Sequence, residues 1–148
     1  MIGLLKGLST TLKTLFRHPV TVQYPREHLP LSPRFRGFPG LIYDEEADEP
    51  RCTACLLCAR NCPTGCITVT GRDNDKVKAE RYGRKRIVDQ FSLDVGQCML
   101  CGICVEVCNF DAIRMSREHE MANHDRSALV LDKGRLLEIT RSPEGDAR

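Results

Sequence analysis

Tryptophan is absent from this chain of 148 residues, and aromatic residues of every kind make up only 5% of it. So few large side chains do not fill a wide hydrophobic core, and small domains of that kind depend on a cross-link or a bound metal. No run of 18 apolar residues occurs, so no membrane-spanning helix is expected. A large excess of one charge sign is missing too: 22 Lys and Arg oppose 20 Asp and Glu, leaving +2. That balance argues against a nucleic-acid partner. The opening MIGLLKGLSTTLKTLFRH has no small-x-small cleavage site, and lysines interrupt its apolar positions, unlike a secretory leader. No nucleophile–base pair, phosphate loop or paired-carboxylate site stands out. The chain is therefore expected to have no catalytic residue and to bind no small-molecule substrate directly.

What the chain has in excess is cysteine, nine in all. Cys52, Cys55, Cys58 and Cys62, followed by Pro63, recur after a shift of 46 residues as Cys98, Cys101, Cys104 and Cys108. An odd total without a leader argues against a secreted disulfide scaffold, and thiolate-held metal suits a reducing cytosol. Zinc ribbons take two ligands from each of two separated C-x2-C pairs, whereas each run here offers three evenly spaced cysteines and then a fourth. The pattern C-x2-C-x2-C-x3-C is that of bacterial two-cluster ferredoxins, and it predicts two [4Fe–4S] clusters. Cysteines two residues apart let a loop curl around three corners of one cubane. The fourth lies a helical turn further on, where the chain leads away, and in this motif it ligates the other cluster.

The expected ligand sets are therefore Cys52, Cys55, Cys58 and Cys108 for cluster 1, and Cys98, Cys101, Cys104 and Cys62 for cluster 2. Gly102 allows backbone to approach cluster 2. Cys66 stands where the repeat has Ala112, so it reads as a small buried side chain and not a ninth ligand. Asn109 replaces the proline of the first run, either to donate to a sulfur or as a tolerated change. His18, His28, His119 and His124 lack metal-ligand spacing and read as surface or interface residues.

The chain around the repeat divides into four segments. Residues 1–18 form an amphipathic helix in which Leu4, Leu5, Leu8, Leu12, Leu15 and Phe16 share an arc of roughly 120°. Lys6, Lys13 and Arg17 border that arc, and Pro19 ends the helix. Such a helix packs on its own domain or lies flat on a membrane or a membrane subunit; composition does not separate the two. Residues 19–50 carry six of the eight prolines, yet Val20, Tyr24, Phe35, Phe38 and Ile42 make them too apolar for a solvated tether. They read as an extended arm across a partner's surface.

Residues 51–115 hold the repeat, each half giving a strand, a ligand loop, a short helix and a second strand, related by a pseudo-two-fold. Ile67–Thr70 and Ile87–Leu93 have strand composition, and the charged stretch Gly71–Arg86 between them reads as an exposed loop or hairpin. Residues 116–148 form a polar tail in which only Ala128–Leu131 and Leu136–Ile139 can bury anything. The expected fold class is α+β: a bacterial two-cluster ferredoxin-like fold with an N-terminal amphipathic helix and extended arms.

Several stretches together resemble the 8-iron, ferredoxin-like subunit I of respiratory and photosynthetic complex I. They are the amphipathic start, PVTVQYP (Pro19–Pro25), PRFRG (Pro33–Gly37), the cluster repeat ending in CMLCGICVEVC (Cys98–Cys108), and MSREHEMANHDR (Met115–Arg126). The resemblance covers about residues 8–140. It departs at Phe35–Cys52, which lacks the basic, histidine-containing connection of the NADH-linked members, and at Asn109. PVTVQYP looks especially like the photosynthetic type, whose donor is ferredoxin.

The resemblance implies an electron-transfer subunit of a membrane-bound NAD(P)H- or ferredoxin-quinone oxidoreductase, passing electrons through two [4Fe–4S] clusters towards the quinone site. It also implies neighbouring iron–sulfur and membrane subunits, a membrane contact through residues 2–17, and a peripheral place on the cytoplasmic face of the cell membrane. Proton pumping would belong to the membrane subunits. The homologous subunit of a membrane-bound hydrogenase or formate hydrogenlyase is the nearest alternative. A free two-cluster ferredoxin is the other, though it needs neither the helix nor the arm.

Overall fold

Leucines at helical intervals, with no breaker before Pro19, form α1 (Ile2–Leu15). The computed structural model describes residues 2–45, 48–74 and 85–141, and the chain divides into two compact units, residues 1–31 and 32–148. In the first unit α1 buries none of its residues; Leu4 and Phe16, just beyond its end, are 80% and 81% exposed. On its polar back, Thr10 and Thr14 donate to the carbonyls of Lys6 and Thr10, each at 3.0 Å. That face is satisfied internally while the apolar one is uncovered. Among the described residues no helix is long and apolar enough to cross a membrane.

The second unit begins with β1 (Pro39–Leu41), β2 (Tyr43–Asp44), β3 (Glu49–Pro50), α2 (Leu57–Arg60) and β4 (Ile67–Asp73). It continues with β5 (Arg86–Asp94), α3 (Ile103–Glu106), β6 (Ile113–Met115), a 3-10 turn at Arg126–Leu129, β7 (Val130–Leu131) and α4 (Lys133–Arg141). The class is mixed α+β. Along β4, Ile67 and Val69 are buried while Thr68 and Thr70 face solvent, the period of two that covers one side of a sheet. Antiparallel pairing sets Ile67 against Leu93 and Val69 against Phe91, and a bulge between Thr70 and Gly71 carries the hairpin outward. Asn74 N closes onto Lys85 O at 2.9 Å; the rest of the charged insertion, 75–84, lies outside the described residues. β7 adds to the other edge of β5.

The stretch read as an arm is partly structural. Pro39, Gly40 and Leu41 pair with Met115, Arg114 and Ile113, so β1 and β6 form a second sheet. Gly37 N and Ile42 N extend that pairing to Ser116 O and Ala112 O. Phe38 and Leu41, two apolar residues of that stretch, belong to the chain's own core or pack against it. The tail is also more structured than its composition suggests. Leu131, Leu136 and Ile139 are buried, whereas Ala128 and Val130 stay exposed. α4 lies so close to β1 that a side-chain carbon on Gly40 would stand 2.9 Å from the Leu136 carbonyl oxygen. Leu41, Leu93 and Leu136, each 1% exposed, mark the centre of the core.

Candidate metal centre

Both cysteine runs leave regular structure for the same physical reason, namely left-handed residues that bend each loop back on itself. In the first run Ala54, Leu56 and Gly65 have φ of 52°, 66° and 63°. In the second, Leu100, Gly102 and Asp111 have 54°, 82° and 46°, each 46 residues on. Four of the six are not glycine, and such backbone costs on the order of 1 kcal/mol each, so it persists only where the surroundings dictate it. After each loop comes one turn of helix, α2 or α3, and then β4 or β6.

The loops enclose two clefts. Cys52, Cys55, Cys58 and Cys108 line one of about 320 Å³, open mouth included, with Thr53, Leu56, Val69 and Ile113. Cys62, Cys98, Cys101 and Cys104 line another of about 350 Å³, with Cys66, Met99, Gly102 and Ile103. Each cleft thus gathers three cysteines of one run and the last cysteine of the other. Among the described residues no three His, Cys, Asp or Glu side chains converge on a point for a single ion. Tetrahedral zinc with bonds of about 2.3 Å would need such a point, whereas four sulfurs ringed around an apolar cleft suit a larger cubane.

Burial and the crowding of thiols set protonation within the clefts. Burial, then the neighbouring thiols of Cys52, Cys55 and Cys104, pushes Cys58 up to about 12. Burial, then Cys98 and Cys101, pushes Cys104 up to about 11, and burial also raises Cys52. Without positive charge among them these sulfurs favour the thiol form; bound iron would supply that charge and displace their protons. Cys62 differs. Burial pushes it up, but bonds from the Thr64 hydroxyl and from the amide and thiol of Cys66 prevail and lower it to about 7. One further feature asks for an occupant: the buried hydroxyl of Thr53, in the wall of the first cleft, has no hydrogen-bond partner among the described residues.

Cys66 is buried, with its sulfur 3.4 Å from that of Cys62, and burial pushes it up to about 12, so it is the S–H donor of that pair. Asn109 is exposed; the bond reaching the Cys108 sulfur comes from Ala112 N at 3.3 Å. His18 and His124 are exposed, His28 stands edge-on to Tyr24, and His119 stands edge-on to Phe35. Sequence reasoning missed Arg36. Its Nη1 donates to the carbonyl oxygen of Cys101 at 2.6 Å and lies 3.2 Å from where a Gly102 side-chain carbon would be. PRFRG singled that arginine out, but nothing in the sequence aims it at a loop 65 residues away.

Comparison with known proteins agrees with this chemistry. A family profile described as a 4Fe-4S dicluster domain matches residues 51–112, which include all eight paired cysteines, so the chain carries two [4Fe–4S] clusters. The chain is 43% identical over 139 residues to NADH-quinone oxidoreductase subunit I 2 of Streptomyces coelicolor, across 92% of this chain and 68% of that one. Against the protein of the same name from Geobacter metallireducens it is 43% identical over 140 residues, across 93% and 98%. Against NADH-quinone oxidoreductase subunit I 1 of Geobacter sulfurreducens it is 44% identical over 141 residues, again across 93% and 98%.

Proposed function

The chain belongs to the NADH-quinone oxidoreductase subunit I family, and from that membership we propose that it is the electron-transfer subunit of a membrane-bound, complex I-type quinone reductase. The observation that carries the reading is a match along nearly the full length of the two Geobacter relatives, joined to two clefts of four cysteines each. The ligand sets we propose are Cys52, Cys55, Cys58 and Cys108 for cluster 1, and Cys98, Cys101, Cys104 and Cys62 for cluster 2. Their shared lining of the clefts supports this. The recurrence of φ values and elements at 46 residues supports a pseudo-two-fold, two-cluster ferredoxin-like domain at 51–115.

When bound, each [4Fe–4S] cluster accepts and releases one electron at a time. The protein's part is to hold and insulate. Buried Cys52 and Cys58 keep water from the first site, and Ala112 N donates to Cys108. Thr64 and Cys66 donate to Cys62, and Arg36 pins the carbonyl of Cys101. Each of these contacts favours sulfur that carries negative charge or fixes the loop that presents it. Residues 1–18 serve as an amphipathic anchor at the cytoplasmic membrane surface, where Lys6, Lys13 and Arg17 meet anionic headgroups. Residues 37–42 and 130–141 brace the domain, and the segments 19–50 and 116–148 meet neighbouring subunits.

Affinity purification from membranes tests the assignment. The tagged chain should bring down further iron–sulfur and membrane subunits as a complex that reduces quinone. Recovery only as a lone, water-soluble monomer would reject it. Cys55→Ala should abolish the EPR signal of cluster 1; survival of both signals with full electron flux would refute the ligand sets.

A further inference from the structure

Thr53 follows the first ligand cysteine, and its Oγ1 is buried with no hydrogen-bond partner among the described residues. Buried hydroxyls are almost always bonded, and an orphan is costly enough to need a reason. The cleft that Thr53 helps to line offers, besides cysteine sulfur, the side chains of alanine, leucine, isoleucine, valine and phenylalanine. A water there would want two to four polar partners, which those side chains do not give. The sulfur-rich contents of the cleft are the acceptor that remains.

We infer that the Thr53 hydroxyl donates a hydrogen bond to a sulfur of cluster 1 and holds that cluster's potential above the value it would otherwise have. The inference rests on the assignment of Cys52, Cys55, Cys58 and Cys108 to one cluster. Hydrogen bonds to cluster sulfurs favour the reduced, more negative state and are a recognised means of setting potential. The second run carries Met99 at the corresponding position; it is 62% exposed, and its thioether has no proton to give. The two halves therefore differ at this position by one donor, which tunes cluster 1 separately from cluster 2.

Thr53→Val keeps shape and removes the hydroxyl, while Thr53→Ser keeps the hydroxyl. Both are read in the assembled complex by redox titration with EPR detection and by ENDOR after transfer to deuterated water. In the valine protein the reduced-to-oxidised ratio of cluster 1 at fixed potential should fall about fivefold, roughly 40 mV at about 59 mV per tenfold. One strongly coupled exchangeable proton should vanish from its ENDOR spectrum. Serine should retain both properties, and cluster 2 should not move. Thr53→Ala replaces valine if the latter fails to load iron.

An unchanged potential and proton coupling without the hydroxyl would overturn the inference, as would equal shifts in the serine and valine proteins. The signal of cluster 1 is identified separately, by Cys55→Ser and Cys108→Ser. If these two alter different signals, the ligand assignment itself fails. If they alter one signal that Thr53→Val leaves untouched, only the role of Thr53 is lost.

Discussion

Cys62 and Cys66 are four residues apart with sulfurs in contact, yet their surroundings give them opposite protonation. The acceptor of several hydrogen bonds sits near 7, and the buried donor near 12. Since Ala112 fills the place of Cys66 in the other half, Cys66→Ala should leave iron at the wild-type content. Cys62→Ala should remove one cluster. Iron analysis with EPR checks both. Arg36→Ala deletes a charged donor to the cluster 2 loop. Bonds of that kind contribute about 1.5–3 kcal/mol, and the exposure of this side chain brings the expected loss to about 1 kcal/mol. Cluster 2 iron should then be lost to a chelator about fivefold faster, with cluster 1 unaffected. Alkali acts on the cluster-free protein. Cys58 and Cys104 are raised from 9.0 in the fold, so the folded state binds more protons than the unfolded one above that pH. Their contribution is complete below pH 9 and fades towards pH 12, so the denaturation midpoint should drop across that window.

Among the elements, α4 carries most of what composition concealed. Its neighbours in sequence are charged, and its buried face is only Leu136, Ile139 and Thr140, too short a pattern to stand out from a polar tail. The helix exists because it docks on β1, with the Thr140 hydroxyl donating to Leu41 O across 99 residues. Leu136→Ala should cost about 2–5 kcal/mol, as for other fully buried leucines. Gly40→Ala, which drives a methyl against the α4 backbone, should cost about 1–3 kcal/mol. Thermal melts of the loaded protein would measure both.

The two long strands were legible at 67–70 and 87–93 because β-branched and aromatic residues alternate there, and the hairpin merely continues past them to Asp73 and Arg86. The two cysteine runs were legible because their spacing is a local property of the chain. β1 was not. Three residues starting with proline carry no periodicity, and only the distant partner Ile113–Met115 makes them a strand.

For the whole molecule, the proposed anchor in α1 and the cluster-bearing unit should have separable roles. Deleting residues 2–15 should weaken membrane attachment while both EPR signals persist; loss of the clusters would place that helix in their support. Stripping iron should act in the reverse sense. With cysteines among the core residues and few large side chains to compensate, the second unit should unfold at a lower temperature once its clusters are gone, as followed by calorimetry.

The exchange of last cysteines between the two runs bears on how the unit can be divided. A fragment ending after Pro63 would have its fourth cysteine pointed at a site it does not contain, and a fragment starting near Cys98 would have the same defect. Under the proposed ligand sets no single-cluster half should fold and load as a minimal module, however alike the halves are in sequence. The repeat is one indivisible object, so any rearrangement of this chain must keep both runs or give up both.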